Sequence, residues 1–232
     1  MTDSLPPQID IAISTGIDRK LPRFIAVEGP IGVGKTSLAK RLAATFNYET
    51  LLEKPEENPF LERFYHNPGQ NALAAQLFFL FQRARQMQEL RQDDLFEPVR
   101  VSDFLIDKDR LFARQNLDKD EFALYQQVYA HLTIDAPTPD LVIYLQAPVD
   151  VLLHRIQKRG IAAERHIQTD YLQRLNDSYT SFFHFYDRSP LLIVNSAEID
   201  LVDNEDDYRQ LVDHALTCNS GTQYFNPKPS LL

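Results

Sequence analysis

The chain has 232 residues, 44% hydrophobic and 25% charged, which fits one α/β domain and excludes a disordered chain or one dominated by membrane spans. A formal net charge of -9 argues against a surface that neutralises a nucleic-acid backbone or an anionic membrane. One cysteine, Cys218, leaves no disulfide framework and no multi-cysteine zinc site, and fits a cytoplasmic setting.

Residues 1–20 carry Asp3, Asp10 and Asp18 without a basic start or an apolar core, and read as a flexible N-terminal extension rather than a secretory signal. Phe24 to Glu28 is the first of five short apolar runs predicted as strands; the others are Thr50 to Lys54, Val99 to Phe104, Leu141 to Ala147 and Leu191 to Asn195. Helical patterns between them predict a three-layer α/β fold, a five-stranded parallel sheet with flanking helices. The continuous run L-V-I-Y-L suits a sheet covered on both faces. After Lys35 and Thr36, Leu38, Leu42 and Phe46 repeat at helical spacing. A long helix from about residue 70 to 91 follows from Leu73, Leu77, Leu80, Ala84 and Met87, and Phe78, Phe79 and Phe81 widen its apolar surface so that it is expected to be largely buried. Tyr171, Leu175, Tyr179, Phe182 and Tyr186 mark another buried stripe between Ile167 and about Arg188. The acidic cluster Asp200, Asp203, Glu205, Asp206 and Asp207 reads as a solvated loop. The main domain is placed at 21–218, and 219–232 is a tail without periodicity, stiffened by Pro227 and Pro229.

The segment G-P-I-G-V-G-K-T, Gly29 to Thr36, satisfies G-x-x-x-x-G-K-[ST] between a predicted strand and a predicted helix. Gly29, Gly32 and Gly34 let backbone N–H groups turn around phosphate oxygens, and the following helix points its positive end at them. Lys35 adds charge at the outer phosphates, and the Thr36 hydroxyl suits magnesium. ATP or GTP binding with Mg2+ is therefore expected. In open α/β sheets ligands bind at the carboxyl ends of the strands, where Glu53 ends the second run and Asp103 closes the third. Either carboxylate can accept a proton from an attacking hydroxyl or hold magnesium through water; either could instead be a helix cap. Gln76 and Arg83 are seven residues apart, hence on one helical face beside Phe79 and Leu80. Polar groups in such a strip address a ligand edge or a core network.

These segments, with E-K-P-E-E-N-P-F-L-E-R-F-Y, Q-L-F-F-L-F-Q-R, S-D-F-L-I-D-K-D-R-L-F-A and L-L-H-R-I-Q-K-R-G in that order, resemble the deoxynucleoside kinase family, and most its bacterial deoxyadenosine/deoxyguanosine branch. The resemblance implies transfer of the γ-phosphate of ATP to the 5'-hydroxyl of a deoxynucleoside, a homodimer formed through long helices, and inhibition by deoxynucleoside triphosphates. It makes Glu53 the base toward the 5'-hydroxyl, Tyr65 and Glu164 the grip on the sugar 3'-hydroxyl, and Gln76 and Arg83 the contacts to the base. Arg155 and Arg159 match lid arginines over the phosphates, although cations in a last helical turn also suit the helix dipole. Residues 195–204 resemble the loop that contacts adenine. The chain departs from the pattern at Phe104, where the family carries an arginine, and at Ile161, where it carries a third lid arginine. Asp109 matches a base-site aspartate counted from Asp103, while counting back from Ala113 puts Lys108 there. The rival readings are a nucleoside monophosphate kinase, which would draft Arg63 and Arg83 for an acceptor phosphate, and a nucleotide-dependent switch.

Overall fold

The computed structural model describes residues 21–92, 99–132 and 136–226. In chain order the elements are β1 (Phe24–Glu28), α1 (Lys35–Phe46), β2 (Glu49–Leu51), α2 (Leu61–His66), α3 (Pro68–Gln92), β3 (Arg100–Ser102), α4 (Lys108–Asn116), α5 (Lys119–Leu132), β4 (Leu141–Gln146), α6 (Val149–Arg159), α7 (Thr169–His184), β5 (Leu191–Asn195), α8 (Glu205–Thr217) and β6 (Thr222–Phe225), with short 3-10 turns at Pro55–Glu57 and Ala162–His166. The sheet order is β2-β3-β1-β4-β5-β6, and every pairing is parallel. From β1 the chain goes to the edge strand β2, returns to β3 between them, and then crosses to β4 and builds outward through β5 and β6, so connections leave on both sides of β1 and open a crevice at its carboxyl end.

Side chains alternate across the central strands as the pleat requires. Ile25, Val27, Leu141, Ile143 and Leu145 pack with Leu38 and Leu42 of α1 and Tyr208 and Leu211 of α8. Ala26, Val142 and Tyr144 face α7 through Leu175, Tyr179 and Phe183. Tyr144 stacks on Phe183 at 4.1 Å between ring centroids, so the aromatic stripe of α7 is core. A third cluster unites α2, α3, α4 and α5 around Phe64, Leu80, Ala113 and Tyr125, away from the sheet.

Several expectations are corrected. The sheet has six strands, because β6 forms within the segment read as a structureless tail; Pro227 and Pro229 lie outside the described residues, as does the extension 1–20. β2 ends at Leu51 and β3 at Ser102, so Glu53 and Asp103 stand just beyond strand ends rather than in them. The acidic cluster is only partly a loop: Glu205, Asp206 and Asp207 form the first turn of α8, where carboxylates meet the positive end of the helix and the Asn204 side chain accepts from the N–H groups of Asp206 and Asp207. α3 buries one face, through Ala72, Ala75, Leu80, Ala84 and Met87, and leaves Phe81 51% exposed.

Candidate active site

Gly29 to Gly34 carry the chain from the centre of the sheet into α1. Gly29 and Gly32 have φ of 150° and 84°. A Cβ on Gly29 would lie 2.5 Å from the Leu145 carbonyl oxygen, and one on Gly32 would lie 2.9 Å from that of Leu152 and 2.7 Å from Ile156 Cγ1. Close approach to β4 and α6 thus adds to the left-handed backbone in requiring glycine. Gly32→Ala should destabilise the fold by about 1–3 kcal/mol, read as a lower denaturation midpoint at unchanged slope.

Lys35 Nζ donates to the carbonyls of Gly29 and Pro30 at 2.7 and 3.2 Å, folding back along the loop it follows. Burial and then the nearby Lys108 ammonium lower its pKa, against the attraction of Glu28, Glu53 and Asp103. The Thr36 hydroxyl donates to Asp103 Oδ2, while Asp103 Oδ1 accepts from the Glu53 N–H at 2.8 Å. Asp103 therefore ties the phosphate loop to the segment after β2. Burial, then repulsion from Glu53, raises its pKa.

Four further charged side chains meet Glu53 or its partners. Arg83 of α3 donates through Nε to Glu53 Oε1 at 2.6 Å, its Nη2 also pairs with that oxygen, and its Nη1 pairs with Asp109 Oδ1. Lys108 Nζ stands 2.9 Å from Glu53 Oε1 and 3.5 Å from Glu28 Oε2. Glu28 closes β1: it accepts from the Gly29 N–H and the Tyr179 hydroxyl at 2.9 Å each, and from the Leu105 N–H at 2.7 Å. Burial alone would raise the Glu53 pKa, but Arg83, Lys108 and Lys35 outweigh it and hold the carboxyl at about 2. Burial wins at Asp109, pushing it up to about 6 against Arg83 and Lys108, and its Oδ2 has no partner among the described residues. Lys108 and Asp109 are consecutive in the first turn of α4 and both are buried. Phe104, where an arginine was expected, is fully buried 5.9 Å from the Arg83 guanidinium.

Two cavities flank the loop. One, of about 130 Å3, is lined by Lys35, Thr36, Glu53, Asp103 and Lys108 and also by Tyr65, Gln76, Arg83, Arg159 and Glu164. The sequence-predicted acceptor residues are thereby brought together, except that Asp109 touches this space only through Arg83. Gln76 is 4% exposed and its amide makes no recorded hydrogen bond among the described residues. The second cavity, of about 580 Å3, runs from Gly32 and Gly34 past Arg155 and Arg159 to residues 196–203, the loop expected to meet adenine. Arg155 stays on that side, donating to the carbonyls of Ser196 and Val33 at 2.7 and 3.3 Å. Arg159 lines both cavities and pairs with Glu164 at 2.6 Å, so two residues given separate roles by sequence are joined here. Sequence reasoning missed Glu28 and the contact of Lys108 with Glu53; the one signal for Glu28 was a carboxylate closing a strand otherwise apolar.

A glycine loop at the switch point, a lysine and threonine opening α1, and cavities on either side of them define a P-loop phosphotransferase. The chain belongs to the deoxynucleoside kinase family, whose model, described as "Deoxynucleoside kinase", matches residues 25–218. It is similar to a deoxyguanosine kinase of Bacillus subtilis, 36% identical over 197 residues that cover 82% of this chain and 95% of the relative. A deoxyadenosine kinase of Lactobacillus acidophilus is 32% identical, covering 78% and 89%. Among solved structures, deoxyadenosine kinase from M. mycoides with the products dCMP and a flexible dCDP bound has 26% identity and a TM-score of 0.71, covering 82% of this chain and 97% of that one. The chain is thus an ATP-dependent deoxynucleoside kinase, transferring phosphate from a nucleotide.

Proposed function

We propose that the enzyme transfers the γ-phosphate of ATP to the 5'-hydroxyl of a deoxypurine nucleoside, deoxyadenosine or deoxyguanosine. The observation that carries this reading is the pair of cavities sharing Gly32 and Arg159, with Glu53 and Lys35 lining the smaller one. ATP fits the larger cavity, its phosphates over the loop N–H groups and its base toward residues 196–203. The acceptor takes the smaller, with its hydroxyl at Glu53, its sugar at Tyr65 and Glu164, and its base at Gln76 and Arg83. At about 130 Å3 this space is below the roughly 300–1,000 Å3 of ordinary ligand pockets, so the acceptor must widen it on entry.

Thr36 and Asp103 present two oxygens in contact, in an environment that raises the Asp103 pKa, and they fit Mg2+, which keeps several waters and takes few protein ligands. The ion supplies charge compensation on the phosphates. Lys35 and Arg159 reinforce it, and Glu53 accepts the hydrogen bond of the hydroxyl and then its proton.

A monophosphate acceptor is disfavoured by the electrostatics. Arg83 is already spent on Glu53 and Asp109, and Arg63 is exposed, donating to the Pro59 carbonyl at 3.3 Å. An anionic Glu53 facing the acceptor suits an uncharged hydroxyl.

The exposed Phe185 and the cavity of about 650 Å3 between α4, the start of α5 and the end of α7 support a homodimer using these helices. Among the described residues no helix is long and apolar enough to cross a membrane. A cytoplasmic enzyme fits the single cysteine of the sequence, and Cys218 is buried with its thiol pKa raised by burial, which disfavours redox use of that residue.

The test is kcat/KM for the four deoxynucleosides with ATP and magnesium. Deoxyadenosine or deoxyguanosine should lead and thymidine should trail, since a base that leaves the buried Gln76 amide unpaired forfeits about 1–3 kcal/mol, whereas Arg83 already has Glu53 and Asp109 as partners. Gln76→Leu is the cleaner probe, because Arg83→Leu also frees Glu53 and should lower kcat besides changing preference. Thymidine at the head of the wild-type ranking, or an unchanged ranking in Gln76→Leu, refutes the purine assignment.

A further inference from the structure

Every recorded partner of the Glu53 side chain reaches the same oxygen. Arg83 Nε, Arg83 Nη2 and Lys108 Nζ all meet Oε1, and among the described residues Oε2 has no recorded partner in a cavity that Glu53 itself lines. The two cations differ in what else holds them. Arg83 is divided between Glu53 and Asp109, lies 5.0 Å over the Phe79 ring, and lines the cavity with Gln76. Lys108 is 2% exposed, and its other partner, Glu28, is fixed by the loop N–H of Gly29, by the Leu105 N–H and by the Tyr179 hydroxyl. The ammonium is thereby referred to the root of the phosphate loop.

We propose that Lys108 is a positioning residue for the transfer step: it pins Oε1 of Glu53 so that Oε2 is presented to the acceptor hydroxyl, whichever base the acceptor carries. The inference rests on the reading of Glu53 as the acceptor-facing carboxylate. A charge-assisted contact is short and directional, and two of them on one oxygen fix the carboxylate plane better than one. Were Arg83 the sole anchor, its engagement with an incoming base would loosen Glu53 at the moment of reaction; a lysine tied to Glu28 is indifferent to that exchange. The first turn of α4 then has two functions on adjacent residues, with Asp109 steadying Arg83 and Lys108 steadying Glu53.

A double-mutant cycle tests this. Lys108→Met should lower kcat roughly 10²-fold, the scale of a misplaced reacting group, by a similar factor for deoxyadenosine, deoxyguanosine and deoxycytidine. Calorimetry should still find one nucleoside bound per chain, and Lys108→Arg should recover part of the rate. In a Glu53→Gln background the same Lys108→Met change should lower kcat by less than about 3-fold, because the group it positions is already gone. Should Lys108→Met fail to fold, Lys108→Gln, which keeps a polar end in the site but loses the charge and one bond of reach toward Glu53, carries the same cycle. Losses that multiply, a changed ranking among bases, or no recovery with arginine would overturn the proposal. Lowered kcat in Glu53→Gln beside unchanged kcat in Lys108→Met defeats this inference alone, whereas unchanged kcat in Glu53→Gln defeats the role of Glu53 and the inference with it.

Discussion

Lys35→Ala should lower phosphoryl transfer roughly 10³-fold or more while leaving the protein folded. Among the described residues the ammonium donates only to carbonyls of its own loop, at 2.7 and 3.2 Å, and the apolar packing of α1 is made by Leu38, Ala39, Leu42 and Ala43. Its pKa is already lowered by burial and by Lys108, so removing it relieves like-charge crowding instead of opening a core. A nucleotide phosphate, carrying more negative charge than two carbonyls, should draw the ammonium off the loop. The expected result is a melting temperature near that of the wild type and no detectable product. Turnover near wild type in the folded variant would falsify the assignment of Lys35 to the phosphates.

Glu53→Gln should lower kcat roughly 10²- to 10⁴-fold with KM for the nucleoside little changed, since an amide keeps the shape and loses the proton acceptor. The variant should fold, because Arg83 keeps Asp109 and Lys108 keeps Glu28. A raised KM at unchanged kcat would make Glu53 a binding group instead. The pH dependence separates two carboxylates. Three cations hold Glu53 at about 2, so it stays ionised at every pH from about 5 upward and contributes no fall in rate there. Asp109, pushed up to about 6 by burial, gains a proton as pH falls through that value and weakens its hold on Arg83. An acid limb near pH 6 should therefore move to lower pH in Glu53→Gln, which removes a charge that repels the Asp109 carboxylate, and vanish in Asp109→Asn.

The parts of this arrangement legible in the sequence are those written contiguously or with a regular period. Gly29 to Thr36 is a local motif, and β1, β4 and β5 are continuous apolar runs. Gln76 and Arg83 share a face because α3 is a regular helix, and both line the acceptor cavity. β6 was invisible because T-Q-Y-F has no apolar run and forms only where β5 offers a parallel edge. Residues 205–207 read as loop because charge alone was weighed, not the cap Asn204 that turns such acids into a helix start. The either/or of Lys108 and Asp109 arose from counting along a line. In a helix successive side chains stand about 100° apart, and when Glu53 and Arg83 lie on neighbouring elements both can point inward to partners. The ion pair of Arg159 with Glu164 was equally out of reach, since it depends on how the 3-10 turn after α6 folds back.

The two ends of the sheet bear on how copies of the chain can meet. β2 at one edge is three residues long and opens on Glu49, which is paired to Arg100; β6 at the other is four residues long and the sequence runs on to Pro227 and Pro229, which have no N–H to donate. Such short or charged margins, as they stand among the described residues, are poor templates for adding a strand from another molecule. Continuous sheets across copies, and the runaway polymerisation they permit, are therefore opposed at both margins.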